Sequence, residues 1–94
     1  MSESQRSPLT LIVDDEADIR ELLTLTLSRM GVESYAAETI AEARELLTQH
    51  DFDLCLTDMR LPDGNGIEII QLLQKEYPQV PVAMITAHGN MELA

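Results

Sequence analysis

The sequence predicts an α/β fold, a doubly wound parallel sheet with helices on both faces. Three observations carry this. Short, nearly continuous apolar runs at Leu9–Val13, Leu54–Thr57 and Val82–Thr86 have the composition of strands buried on both faces. Between them the apolar spacing lengthens to a helical period. Strand and helix therefore alternate at short, regular spacing, which favours parallel pairing through helical crossovers.

Each element follows in order. Leu9–Val13 (LTLIV) ends abruptly in Asp14, Asp15 and Glu16. From Asp18, Ile19, Leu22, Leu23, Leu27 and Met30 fall on one helical face, and Gly31 suits the helix C-terminus. Val32–Ala36 is a weaker strand, expected at a sheet edge. Thr39 followed by Glu42 has the pattern of a capping box, opening a helix with an inner face of Ile40, Ala43, Leu46 and Leu47. Leu54–Thr57 (LCLT) ends at a carboxylate, Asp58. Pro62, Asp63, Gly64 and Gly66 predict a loop. A third helix runs through Ile67, Ile70, Leu73 and Tyr77 until Pro78 stops it. Val82–Thr86 is the fourth strand, after which the chain begins a fourth helix without completing it.

Composition narrows the classes of function. The chain has 94 residues, 45% of them hydrophobic, which is enough for a packed core. Its 17 acidic residues against 6 basic give a net charge of −11, so the domain itself should repel nucleic acid and anionic membranes. No apolar run approaches the roughly 20 residues that cross a bilayer. The first eight residues, MSESQRSP, predict a flexible polar lead without a signal-peptide core. A single cysteine, Cys55, excludes an internal disulfide, fits a reducing cytoplasm and is expected in the core. His50 is expected at a helix end with a structural role. No Gly-rich phosphate loop of the GKS or GKT kind and no His/Cys cluster of the zinc kind is present.

In open parallel sheets ligands bind beyond the carboxyl ends of the strands. Asp14, Asp15, Asp58 and Thr86 all stand there. Taken singly, each is ordinary: an Asp pair commonly lies in a loop or caps a helix, and Thr is a strand former. Their coincidence at one edge is the signal. Three converging carboxylates repel one another and raise at least one pKa unless a cation joins them. An all-oxygen set suits a hard divalent ion, and Mg²⁺ completes its shell with water and phosphate oxygens. The arrangement therefore points to phosphoryl chemistry with a carboxylate as nucleophile.

At these residues the sequence resembles the receiver domain of two-component response regulators. The likeness is carried by LIVDDEADIRELL, FDLCLTDMRLPDGNGIEII and PVAMITAHGN and runs from about Leu9 to the end of the chain. The resemblance implies a flavodoxin-like receiver fold with strand order 2-1-3-4-5 and a cytoplasmic switch phosphorylated by a sensor histidine kinase. It implies Asp58 as phosphoacceptor, with Mg²⁺ bound by Asp15, Asp58 and the backbone carbonyl of Arg60 and by Asp14 through water. Thr86 is similar to the family's switch hydroxyl, and Ala87 to the small residue that leaves access to the aspartate. Arg60 and His88 occupy positions that tune the phosphoryl lifetime. The ITAHGNMELA end resembles receivers of sigma-54-dependent activators, regulators of type IV pilus expression among them. There, output ATPase and DNA-binding domains follow in a longer chain.

One departure is clear. The family's lysine at the end of a fifth strand has no counterpart, because the only lysine, Lys75, precedes the fourth strand. Residues 9–94 thus read as a receiver without its fifth strand and fifth helix, and a longer parent is expected. Any dimer would depend on that missing face. Two alternatives stay open. One is a pseudo-receiver acting as a protein-interaction module. The other is a Mg²⁺-dependent phosphohydrolase, which would need a cap region and a second acid where Arg60 stands.

Overall fold

The computed structural model describes residues 8–85. The expected flexible lead, Pro8 apart, lies outside the described residues, as do Thr86, Ala87, His88 and the start of the fourth helix. The described elements are β1 (Leu9–Val13), α1 (Ala17–Arg29), β2 (Glu33–Ala37), α2 (Ile40–Gln49), β3 (Leu54–Asp58), β4 (Arg60–Leu61), β5 (Gly64–Asn65), α3 (Gly66–Glu76) and β6 (Val82–Ile85). Strands β2, β1, β3 and β6 form one sheet in that order, with every pair parallel. Because β6 is the fourth strand of this sheet, the order agrees with the first four places of 2-1-3-4-5.

The central strands behave as their composition predicts. Leu11, Ile12 and Val13 are fully inaccessible, so β1 is covered on both faces. Leu11, Val13, Ala37 and Cys55 share a core with Ile40, Ala43 and Leu47 of α2, Ile69 and Leu73 of α3, and Phe52, Leu61 and Val80. Ile12 alternates to the opposite face, where α1 lies against β1 and β2. At the sheet edge, Tyr35 of β2 stacks on His50, which closes the C-terminus of α2, with ring centroids 4.2 Å apart. Burial pushes the Cys55 thiol up to about 12, consistent with a core residue.

Four expectations need correction. First, α1 buries no residue, and Leu22, Leu25 and Met30 are exposed. Its apolar periodicity is real, but of the residues on that face only Ile19, Leu23 and Leu27 are half-buried. Second, the inner face of α3 is Gly66, Ile69 and Leu73, with Ile67 exposed and Ile70 only half-buried. The run IEIIQLL offers two overlapping apolar faces, and packing selects the second. Third, the capping box at α2 is displaced. Thr39 accepts the Glu42 amide at 3.1 Å, but Glu42 accepts the amide of Glu38 instead of that of Thr39. Fourth, the loop after Asp58 contains a small antiparallel hairpin, β4 with β5.

Among the described residues no helix is long and apolar enough to cross a membrane. The corrected face of α3 gives a direct expectation. Leu73→Ala should cost about 2–5 kcal/mol in urea denaturation, whereas Ile67→Ala should stay within about 0.5 kcal/mol.

Candidate functional site

The register of the two central strands builds the site. Val13 stands opposite Thr57 in the parallel ladder, so Asp14 and Asp58 come next on neighbouring strands at one sheet edge. Asp15 joins them from the turn into α1. One carboxylate oxygen from each of Asp14, Asp15 and Asp58 lies within 4.8 Å of the other two. The three carboxylates singled out in the sequence are thus brought together.

Asp14 is the unusual member. It is fully buried, its Oδ1 accepts the Glu16 amide at 2.8 Å, and its Oδ2 is buried without a hydrogen-bond partner among the described residues. Burial pushes its carboxyl above the ordinary carboxylate range. The Glu16 amide opposes this, and the charges of Asp58, Glu16 and Asp15 add to the rise. A buried acceptor left unmatched costs about 1–3 kcal/mol, a cost that a cation, or a water bound to one, would relieve. Buried Asp14, half-buried Asp58 and exposed Asp15 form an oxygen-only donor set graded towards solvent. Those features fit a hard divalent cation that keeps part of its water shell.

Asp58 is held by its surroundings. Its Oδ1 accepts the following amide, Met59 N–H, at 2.7 Å, and the buried Thr57 hydroxyl donates to its carbonyl at 3.0 Å. Gly66, the first residue of α3, donates its amide to the Met59 carbonyl at 2.7 Å. A Cβ at Gly66 would collide with the carbonyl oxygen of Asp58, so only glycine lets α3 begin against this backbone. Arg60 lies two residues beyond Asp58, exposed and paired with Asn65 in the hairpin.

Two further residues escaped sequence reasoning. Arg20 donates to the Asp14 carbonyl at 2.9 Å and pairs with Glu38 at 3.2 Å. Asp63 accepts the amides of Ile40 and Ala41 at 2.9 and 3.1 Å. Those two amides, Ile40 first, hold its carboxyl below the ordinary range. The only available signal was weak: a cation one turn into the helix after the acidic pair, and an Asp in a turn. Thr86, Ala87 and His88 lie outside the described residues.

Residues 10–94 match the response regulator receiver domain family. The chain is 60% identical to the response regulator protein PilR of Pseudomonas aeruginosa over 84 residues, covering 89% of this chain and 19% of that protein. It is 31% identical over 83 residues to the DNA-binding transcriptional regulator NtrC of Proteus hauseri, covering 88% of this chain and 18% of that protein. The chain therefore spans about a fifth of the length of these relatives. Among solved structures it is similar to the response regulator TrrA of Thermotoga maritima in complex with Mg²⁺ and BeF. The TM-score is 0.81 at 32% identity, covering 87% of this chain and 71% of that one.

Two outcomes follow from the packing of charge and backbone. In Mg²⁺-free buffer at neutral pH, Asp58→Asn should melt a few degrees above the wild type, since it removes a carboxylate that repels buried Asp14. The sign follows from the raised Asp14 pKa: its stabilising contribution is complete below the ordinary carboxylate value and is lost as pH rises through the folded one. Gly66→Ala should cost about 1–3 kcal/mol in chemical denaturation, because the obstacle is backbone and cannot rotate away.

Proposed function

The chain belongs to the response regulator receiver domain family, and from that premise we propose that it is a phosphorylation-dependent signalling switch with Asp58 as phosphoacceptor. The single observation that carries this reading is the convergence of Asp14, Asp15 and Asp58 around a buried, unmatched carboxylate oxygen. In this reading Asp15, Asp58 and the Arg60 carbonyl would hold Mg²⁺, and Asp14 would act on it through water. The metal, when bound, supplies positive charge to offset the phosphoryl oxygens.

The chain's own residues prepare Asp58 for attack. Met59 N–H fixes Oδ1, which orients the carboxylate and leaves its other oxygen as nucleophile. That oxygen attacks the phosphorus of a phosphohistidine on the sensor kinase. A P–O bond forms, the P–N bond breaks, and the imidazole leaves and recovers its proton from solvent. The new acyl phosphate places roughly two negative charges at the sheet edge. We assign Thr86 to the phosphoryl group as the hydroxyl that moves towards it and Ala87 to access, with Arg60 and His88 governing the lifetime.

The kinase would dock along α1, where Leu22, Thr24, Leu25 and Ser28 line an open groove. Leu22 and Leu25 are exposed apolar residues there. The likeness to PilR and NtrC supports a role in transcription activation of the sigma-54 type, exerted through ATPase and DNA-binding domains of a longer protein. The phosphohydrolase alternative is disfavoured because the residue two after Asp58 is a cation, Arg60. A pseudo-receiver has no reason to keep three like charges around a buried oxygen.

Intact-mass spectrometry after incubation with Mg²⁺ and acetyl phosphate tests the assignment. The wild type should gain one phosphoryl group and Asp58→Asn none. Equal addition to both would remove Asp58 from the mechanism. Mg²⁺ should also raise the melting temperature of the wild type by mass action, and raise that of Asp15→Ala less.

A further inference from the structure

We propose that Asp63 is a positioning residue for the phosphoacceptor site, strapping the hairpin that carries Arg60 to the start of α2. The inference rests on the functional reading above. The hairpin pairs only Arg60 with Asn65 and Leu61 with Gly64. A ladder this short does not hold its own shape in water. Its geometry must come from outside, yet it carries the backbone that leaves Asp58 directly.

Three anchors are visible. Leu61 is buried in the core, Gly66 N–H holds the Met59 carbonyl, and Asp63 at the hairpin turn takes two amides of α2. The third is the one that reaches across the sheet edge. α2 does not need Asp63 as its local cap, because Thr39 already accepts the Glu42 amide. Asp63 satisfies the two remaining amides at Ile40 and Ala41, a charge-assisted pair at the positive end of the helix.

The segment entering α2 is in turn tied to the other half of the site. Asp14 N–H donates to the Ala37 carbonyl at 3.0 Å. Arg20 bridges the Asp14 carbonyl and the Glu38 carboxylate. A circuit of bonds therefore runs from Asp14 through Ala37, Glu38 and Ile40 to Asp63 and returns through the hairpin to Asp58. Asp63 is the link that joins the β1 side of the site to the β3 side outside the sheet. Removing it leaves both sets of carboxylates in place but frees the Met59–Arg60 backbone to drift relative to Asp14 and Asp15.

The test compares the intact wild-type protein with Asp63→Ala, Asp63→Asn and Thr39→Ala. Thr39→Ala weakens the same helix without touching the strap. Phosphoryl uptake from acetyl phosphate should slow roughly tenfold in Asp63→Ala, and Mg²⁺ should bind several-fold more weakly. Thr39→Ala should match the wild type in both, whatever its melting temperature. In the metal-free protein, hydrogen exchange at the Gly66 amide should quicken in Asp63→Ala and not in Thr39→Ala. Asp63→Asn keeps one acceptor oxygen and should recover part of each effect. Wild-type rates in Asp63→Ala, or equal losses in Asp63→Ala and Thr39→Ala, would overturn the strap and leave the phosphoacceptor reading standing. Failure of the wild type itself to take up phosphoryl would overturn that reading, and the strap with it.

Discussion

Everything in this molecule turns on one buried carboxylate. Asp14 leaves β1 where its neighbours in the ladder, Val13 and Thr57, are both fully inaccessible, and one of its oxygens finds no partner among the described residues. A fold tolerates such a group only when something else compensates for it. Asp15 and Asp58 converge on the same point, which adds to the repulsion and gathers an oxygen-only donor set that could hold a cation. The mutual repulsion of the three carboxylates and their suitability for a divalent ion are two aspects of one arrangement.

The rest of the fold holds that arrangement still. The parallel register of β1 and β3 fixes the spacing of Asp14 and Asp58. The core shared by α2, α3 and the sheet keeps the two strands from sliding. Beyond the strand ends, bonds that involve side chains replace the ladder: Arg20 on the Asp14 carbonyl, the Thr57 hydroxyl on the Asp58 carbonyl, the Met59 amide on the Asp58 carboxylate, and Asp63 on the amides of α2. Gly66 is the steric counterpart of these bonds, since it admits α3 close against the Asp58 backbone.

Legibility in the sequence followed the range of the interaction. The strands LTLIV and LCLT were readable because a strand buried on both faces has to be apolar throughout, and their terminal carboxylates then placed the site at the sheet edge. The start of α2 was readable because Thr39 and Glu42 act on adjacent turns, though the box closed on Glu38. By contrast, β4 and β5 have two residues each and carry no periodicity to detect. In α1 the apolar spacing marked a face but could not say whether anything covers it, and Leu22 proved exposed. The bond between Asp63 and Ile40 spans 23 residues, a distance at which composition holds no information about partnership. Local chemistry could be read from the sequence, whereas tertiary bonds required the fold.

The most direct test of the central claim is a Mg²⁺ titration of the intact, ¹⁵N-labelled protein followed residue by residue through its backbone amides. A cage centred on Asp14 predicts saturable shifts concentrated at Asp14–Glu16 and Met59–Arg60 and at Gly66, with little change along α1 beyond its first turn or at the far end of the sheet near Tyr35. The same titration of Asp14→Asn should saturate only at higher Mg²⁺ or not at all. Non-saturating shifts spread over the acidic surface, unchanged by that substitution, would mean that the cluster merely collects counterions, and would contradict the account.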